Sequence, residues 1–340
     1  MEGEHETIME KYKPSVAVDK AIREGKELIQ KPVVLIQCIT YNQEKYIGKC
    51  LDGFLMQETN FPFVALIHDD ASSDGTADII MEYAKIHPDI IKPVCDNVNR
   101  HNERTLGRVL DDIIDAYDPK YIAICEGDDF WTSPMKLQMQ VDYLSEHPEC
   151  VMCHTDYTDT TANKHKTLKH YDDEPYFGPG HIHNYNICSL TAVYRKEAYD
   201  KCPQYRYSHK WLMGDKPKWI ELSHEGKFHF IDKITGTYRV LSNSASHSTD
   251  VNKMIAFWEC KNEITEFYSK LYGYPYTLQP KSALYDQILE QSYYNKDQCM
   301  SKTYWRKAKQ EHQTTFRMFL FYVANHKMLR WIIPLAYRFV

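Results

Sequence analysis

Apolar and polar positions along this chain fall into blocks whose period changes from segment to segment. Residues 1–30 are polar and charged with no strong period, which predicts a helical or loosely ordered lead-in. Lys31-Pro32 opens Val33-Val-Leu-Ile-Gln-Cys-Ile39, a near-continuous apolar run of the kind buried on both faces of a parallel sheet. After Thr40-Tyr41-Asn42, apolar side chains recur at Tyr46, Ile47, Cys50, Leu51, Phe54 and Leu55. That spacing marks one helix face, with Asn42 placed to cap it. A second strand is predicted at Phe63–Ile67, a turn over His68–Thr76, and a helix through Ile79, Ile80, Tyr83 and Ala84. Ile90–Cys95 reads as a third strand, assigned to the sheet edge by Pro93. A helix over 106–117 leads to a short buried strand at 121–125. Ser133-Pro134 predicts a capped helix start, with Leu137, Val141 and Leu144 as its buried stripe.

Beyond Cys150 the pattern is mixed. Strands are expected at Cys150–His154, Ile187–Tyr194 and Lys227–Ile231, with a polar insertion over 158–186. From 250 onward the chain reads as helical and aromatic. The alternation over the first 125 residues predicts an α/β domain with a mostly parallel central sheet. The expected organisation is a lead-in at 1–30, a main domain at 31–249 and a helical extension at 250–340.

In open parallel sheets, ligands sit beyond the carboxyl ends of the strands. Three polar clusters fall there: Thr40-Tyr41-Asn42, Asp69-Asp70 and Glu126-Gly-Asp-Asp129. The last places three carboxylates within four residues, which repel one another unless a cation neutralises them. Hard oxygen donors favour Mg²⁺ or Mn²⁺.

Composition narrows the chemistry. A net charge of −6 and a pI near 6.2 give no basic footprint for nucleic acid. Ten scattered cysteines, several in apolar runs, and a charged Met1–Lys13 stretch predict a reduced, cytoplasmic setting. Cys150-Val-Met-Cys153 lacks the second cysteine pair of a zinc site. No GxxxxGK[ST] is present and no GxGxxG follows a strand, so ATPase and NAD readings lose their support. Asp70-Ala-Ser-Ser-Asp-Gly75 begins like a calcium loop, but position 12 falls on Met81 rather than a glutamate. The stretch 316–340 mixes apolar runs with Arg317, Lys327, Arg330 and Arg338. It is too interrupted to span a bilayer, and suits either packing on a core or peripheral contact with a membrane surface.

Taken in order, Cys38-Ile-Thr-Tyr-Asn42, Asp69-Asp-Ala-Ser-Ser-Asp-Gly-Thr76, Glu126-Gly-Asp-Asp129 and Pro134-Met-Lys-Leu-Gln138 resemble the motifs of family 2 glycosyltransferases of the GT-A fold. The resemblance covers roughly 32–245. It implies an inverting, metal-dependent transfer of a sugar from a nucleotide-sugar donor to a glycan or lipid-linked acceptor, in the building of cell-surface polysaccharide. By the same resemblance, Thr40, Tyr41 and Glu44 contact the nucleotide. Asp70 holds the base, typically through a pyrimidine N–H, as in a UDP-sugar. Asp128 binds Mn²⁺ or Mg²⁺ on the diphosphate, while Glu126 and Asp129 assist at the ribose or donor sugar. Arg239 or His247 contacts phosphate oxygens. Before the metal strand the chain departs from the family's Asn-x-Gly segment and reads Asn99-Arg-His-Asn-Glu-Arg104-Thr-Leu-Gly-Arg108, where Arg104 and Arg108 are candidates to aid the diphosphate. Asp215, in Trp211-Leu-Met-Gly-Asp215, matches the general base, although Gly214 replaces the usual glutamate before it. Two other readings stand beside this one. A sugar nucleotidyltransferase would carry a Gly-rich basic loop after its first strand, where this chain has Thr40-Tyr-Asn-Gln43. A non-catalytic nucleotide or glycan-binding module on the same fold would have no need of Asp70, Asp128 and Asp215 together.

Overall fold

The computed structural model describes residues 13–103, 105–160, 187–203, 211–241, 250–275 and 278–326, with short pieces at 165–166, 176–177, 207 and 248. Two compact units divide it, residues 1–240 and 241–340.

In the first unit, α1 (Val16–Glu27) is capped by the Ser15 hydroxyl, which accepts from the Val18 N–H at 3.3 Å. β1 (Val34–Thr40) is buried at six of its seven positions, as its unbroken apolar run requires. α2 (Ile47–Leu55), β2 (Phe63–Asp69), α3 (Thr76–Ile86) and β3 (Ile91–Cys95) follow. A single turn, α4 (Arg100–Glu103), precedes α5 (Leu106–Tyr117) and β4 (Tyr121–Ile124). Next come β5 (Phe130–Trp131), α6 (Lys136–Glu146) and β6 (Cys150–Asp159). Two short pieces, β7 (His165–Lys166) and β8 (Tyr176–Phe177), pair antiparallel with β6 and with the later β10. β9 (Val193–Arg195), α7 (Lys196–Lys201), α8 (Asp215–Glu225) and β10 (Lys227–Tyr238) complete the unit.

The strands form one sheet in the order β3-β2-β1-β4-β9-β6-β10-β5. β3, β2, β1 and β4 run parallel, as do β6 and β10, while β9 opposes both of its neighbours. β3 lies at the edge, where Pro93 costs the sheet no ladder bond on its open side. Parallel pairing aligns the ends of β1, β2 and β4, so the three polar clusters emerge on one side: Thr40 lies opposite Asp69, and Gln37 opposite Ile124. Helices α2, α3 and α6 pack Leu51, Phe54, Ile80, Leu137 and Val141 into the core beneath that edge.

Local starts differ from expectation in three places. Asn42 does not cap α2; it adopts φ 52°, and the N-cap is Tyr46. Its side chain serves a loop contact instead, accepting from the Ser73 N–H at 2.8 Å. α6 begins at Lys136 after Met135, whose side chain makes no cap; Gln57 Oε1 accepts from the Leu137 N–H of the first turn at 3.1 Å instead of the Ser133 hydroxyl. The segment expected as a strand over 187–194 is a short 3₁₀ turn at Ser189–Thr191 and then the three-residue β9. β6 and β10 also run further than their apolar cores predict, to Asp159 and Tyr238.

The second unit is helical: α9 (Val251–Tyr272), α10 (Lys281–Tyr294), α11 (Gln298–Gln310) and α12 (Phe316–His326). Asp250 caps α9, and Gly273 at φ 73° ends it. The unit has its own core, centred on Met254, Leu284, Ile288, Leu289, Phe321 and Ala324. No helix among the described residues is long and apolar enough to cross a membrane.

Candidate active site

The site grows from the close approach of β1 and β4 at their carboxyl ends. The Gly127 N–H donates to the Ile39 carbonyl at 2.9 Å, which carries the ladder one step past β4. A Cβ on Gly127 would stand 2.5 Å from Gln43 Oε1 and 2.8 Å from both Thr40 Cβ and Oγ1. Only glycine allows this approach. The Thr40 hydroxyl donates to Gln43 Oε1 at 2.8 Å, and the Gln43 side chain lies near enough to the Asp128 carboxylate to hold its pKa down. A chain of polar contacts thus runs from the end of β1 to the acidic turn.

Glu126, Asp128 and Asp129 each place one carboxylate oxygen so that the three lie within 4.8 Å of one another. Asp129 is buried, and its Oδ1 accepts from the Arg239 N–H at 2.7 Å. Burial pushes its pKa up to about 9, reinforced by the charges of Asp128 and Glu126. Asp128 is also raised, by burial, against the pull of Arg239 and Gln43. Glu126 is pushed up to about 7 by the desolvating protein around its carboxyl and by the charges of Asp128 and Asp215. Its side chain reaches solvent, so repulsion from the two aspartates is the firmer of these causes. Three crowded carboxylates, one exposed, one half-buried and one buried, with raised pKa values are the donor set that a hard divalent cation satisfies. The residues fit Mn²⁺ or Mg²⁺.

Arg239 belongs to the same corner. Its guanidinium donates to the Asp128 carbonyl and lies over Phe130 at 4.5 Å and Tyr46 at 5.1 Å. Lys49 covers Phe130 at 3.9 Å. Asp215 is the exposed first residue of α8, close enough for its charge to act on Glu126. Lys218, one turn later on α8, opposes it by stabilising the Glu126 carboxylate.

The turn after β2 locks onto the turn after β1. The Asn42 N–H donates to Ser72 Oγ and the Gln43 N–H to Thr76 Oγ1, both at 2.8 Å. The exposed Glu44 accepts from the Gly75 N–H at 3.3 Å while its own N–H donates to Asp74 at 3.2 Å. Ala71 takes φ 63°, an uncommon conformation for a residue with a Cβ. Asp70, immediately before it, is buried, and its two carboxylate oxygens accept from the Arg100 N–H at 2.6 Å and the His101 N–H at 3.1 Å. It therefore anchors the start of α4, and Asn99 Nδ2 donates to the Asp70 carbonyl at 3.0 Å. Beneath, Arg100 Nε donates to Asp96 Oδ2 at 2.8 Å.

The structure thus brings Thr40, Asp70, Glu126, Asp128, Asp129 and Arg239 to one sheet edge, with the exposed Tyr41 and Glu44 on the adjoining turn. Arg108 is tied elsewhere: its guanidinium lies 5.1 Å over Tyr207 and its charge acts on Asp112. Arg104 and His247 lie outside the described residues. Sequence reasoning missed Gln43, Gly127 and Lys218. For Gln43, the signal was a carboxamide three residues past a strand-end threonine. For Lys218, it was a cation one helical turn past Asp215.

Comparison with known proteins places these features among relatives. The family model described as "Glycosyl transferase family 2" matches residues 36–202. An uncharacterised protein of Mycobacterium tuberculosis is 45% identical over 120 residues, 35% of this chain and 33% of that protein. The match therefore spans about one third of the length of that relative. The putative teichuronic acid biosynthesis glycosyltransferase TuaG of Bacillus subtilis is 26% identical over 233 residues, 64% of this chain and 82% of that one. Among solved structures, the mannosyltransferase PcManGT of Pyrobaculum calidifontis, in complex with GDP-Man and Mn²⁺, matches with a TM-score of 0.51 at 14% identity. That match covers 94% of this chain and 86% of the other, and shows a shared GT-A-like fold.

Proposed function

From the premise that this chain belongs, over residues 36–202, to glycosyl transferase family 2, we propose that it is an inverting, divalent-metal-dependent transferase. It moves a sugar from a nucleoside-diphosphate donor to an acceptor hydroxyl in the building of a polysaccharide. The observation that carries this reading is the convergence of Glu126, Asp128 and Asp129 to within 4.8 Å at the end of β4. The polysaccharide role is supported by TuaG, and the use of Mn²⁺ by PcManGT.

Each residue then has a task. Thr40, Tyr41 and Glu44 border the nucleotide on the turn after β1. Asp70 shapes the base pocket by holding the Arg100 and His101 amides, and its carboxylate, which can accept more than one hydrogen bond per oxygen, also receives the base N–H. Asp128 holds the cation, with Glu126 and Asp129 beside it. Mn²⁺ or Mg²⁺, when bound, supplies Lewis-acid stabilisation of the departing diphosphate. Arg239 fixes the turn through the Asp128 carbonyl and the Asp129 carboxylate, and keeps further guanidinium donors for phosphate oxygens.

Asp215 is the base. Its exposed carboxylate takes the proton of the acceptor hydroxyl. The acceptor oxygen then forms its bond to the anomeric carbon on the face opposite the diphosphate, which leaves with the electron pair of the broken C–O bond. The main domain over 31–249 and the extension over 250–340 are proposed as the catalytic and accessory parts. We place the protein on the cytoplasmic side, with peripheral membrane contact through 316–340, of which 327–340 lie outside the described residues.

The test is a panel of nucleotide sugars offered to the purified chain with Mn²⁺. Release of nucleoside diphosphate from at least one donor, abolished by chelation, is expected. Donor binding without turnover against any acceptor would favour a binding module instead.

A further inference from the structure

The chain carries a formal charge of −6, yet two consecutive helices of its second unit carry no acidic residue at all. α11 has Lys302, Arg306, Lys307 and Lys309, and α12 has Arg317. Two of these cations are engaged locally. Arg317 meets Asp286 at 3.6 Å and Glu290 at 2.6 Å, and Lys307 lies 4.8 Å over the Tyr304 ring. Lys302, Arg306 and Lys309 are exposed and form no ion pair among the described residues. Their spacing puts them on one flank of α11.

Trp305 stands within that flank. It stacks on Tyr322 of α12 at 5.1 Å and meets Phe319 at 6.1 Å, so the basic flank continues onto an aromatic one. Phe319 is 46% exposed, and Phe316, one turn earlier, is 75% exposed. Core packing does not account for two phenylalanines left in water beside three unneutralised cations.

We propose that the joint face of α11 and α12 docks on a bilayer surface rich in anionic lipid headgroups. Lys302, Arg306 and Lys309 supply the attraction, and Phe316 and Phe319 the interfacial insertion, with Trp305 packed behind Phe319. Aromatic side chains settle at the headgroup level, and each Lys or Arg near an anionic surface strengthens binding roughly fivefold. Charge also argues against a second copy as occupant, because a two-fold pairing through this face would bring both sets of cations together. The inference narrows the membrane contact proposed for 316–340 to a face whose cations come from α11. It does not depend on sugar transfer.

The experiment is co-sedimentation of the full chain with vesicles of phosphatidylcholine alone, and of phosphatidylcholine with phosphatidylglycerol. Binding to the anionic vesicles only is expected, weakening as salt is raised. The triple variant Lys302→Glu, Arg306→Glu, Lys309→Glu should bind at least about a hundredfold more weakly, at roughly fivefold or more per site. Its circular dichroism and its Mn²⁺-dependent nucleotide binding should be unchanged, which separates this test from that of the active site. Phe316→Ser with Phe319→Ser should weaken binding while leaving its salt dependence. Equal binding to neutral vesicles, or wild-type binding by the triple variant, would overturn the proposal. Deletion of residues 327–340 abolishing all binding would also overturn it, by assigning the contact to that segment. So would capture by heparin without vesicle binding, which would point to an acidic glycan.

Discussion

Replacing Gly127 by alanine should damage stability and ligand binding together. The added methyl would sit 2.5 Å from Gln43 Oε1 and 2.8 Å from Thr40 Cβ, and the threonine Cβ is fixed by β1. The strain therefore falls on Gln43, which accepts from Thr40 and lies beside Asp128. Overpacking of this kind costs about 1–3 kcal/mol. For a unit of this size, that lowers Tm by roughly 2–4 °C per kcal/mol. Displacing Gln43 also takes its amide away from Asp128, where it favours the ionised carboxylate, so Mn²⁺-dependent nucleotide binding should weaken by up to about tenfold, the bound set by one hydrogen bond to a charged group. Gly48→Ala is the control. Its Cβ meets nothing nearer than the Tyr83 hydroxyl at 3.7 Å, inside α2, so helix propensity should stabilise that variant by about 0.5–1 kcal/mol. Differential scanning calorimetry and titration calorimetry read both effects. A Gly127→Ala protein with wild-type Tm and wild-type nucleotide affinity would refute the proposed contact between β1 and the acidic turn.

The other predictions follow from buried polar groups. Asp70→Ala should cost about 2–5 kcal/mol, because it strands two backbone donors, at Arg100 and His101; unchanged amide exchange over 99–101 would count against the anchor role. Lys136 is fully buried, donating to Gln140 Oε1 at 2.5 Å, and burial pulls its pKa down to about 7. Between pH 7 and the unfolded lysine value near 10.4, the unfolded chain binds more protons. Wild-type stability should therefore rise with pH there, relative to Lys136→Met, by up to about 1.4 kcal/mol per unit, with the penalty complete below pH 7; parallel stability curves would contradict this. Asp129, pushed up to about 9 by burial and its acidic neighbours, holds a proton at neutral pH until a cation arrives. Mn²⁺ binding should release protons and tighten as pH rises, and calorimetry in buffers of different ionisation enthalpy should detect that release.

Much of the sheet was legible because its strands are buried on both faces, leaving apolar runs such as Val33–Ile39 that have little other use. The helix over 106–117 was equally plain from its period. Helix starts were not. Asn42 and Ser133 look like caps in isolation, but a tertiary contact claims Asn42 for Ser73, and Gln57 from another helix takes the Leu137 N–H that Ser133 would have served. β9 was overdrawn because 187–192 is apolar for a different reason. It is a turn held by Trp131 Nε1 on the Leu190 carbonyl and by Gln140 Nε2 on the Thr191 carbonyl, at 2.9 Å each. In the site, the carboxylates could be read from their crowding after a strand. The partners that orient them could not, because Gln43 and Arg239 lie 85 and 111 residues from Asp128 and meet it only through sheet register and the closing of β10 on β5. The dual engagement of Asp70 by backbone amides is likewise invisible in Asp-Asp-Ala-Ser.

The most direct test of the central claim is titration of UDP and GDP into the protein with and without Mn²⁺, for wild type and Asp128→Ala. At least one nucleotide should bind the wild type only with Mn²⁺ and lose that binding, by about a hundredfold or more, in the variant. Nucleotide binding that ignores both the metal and the Asp128 substitution would contradict that claim.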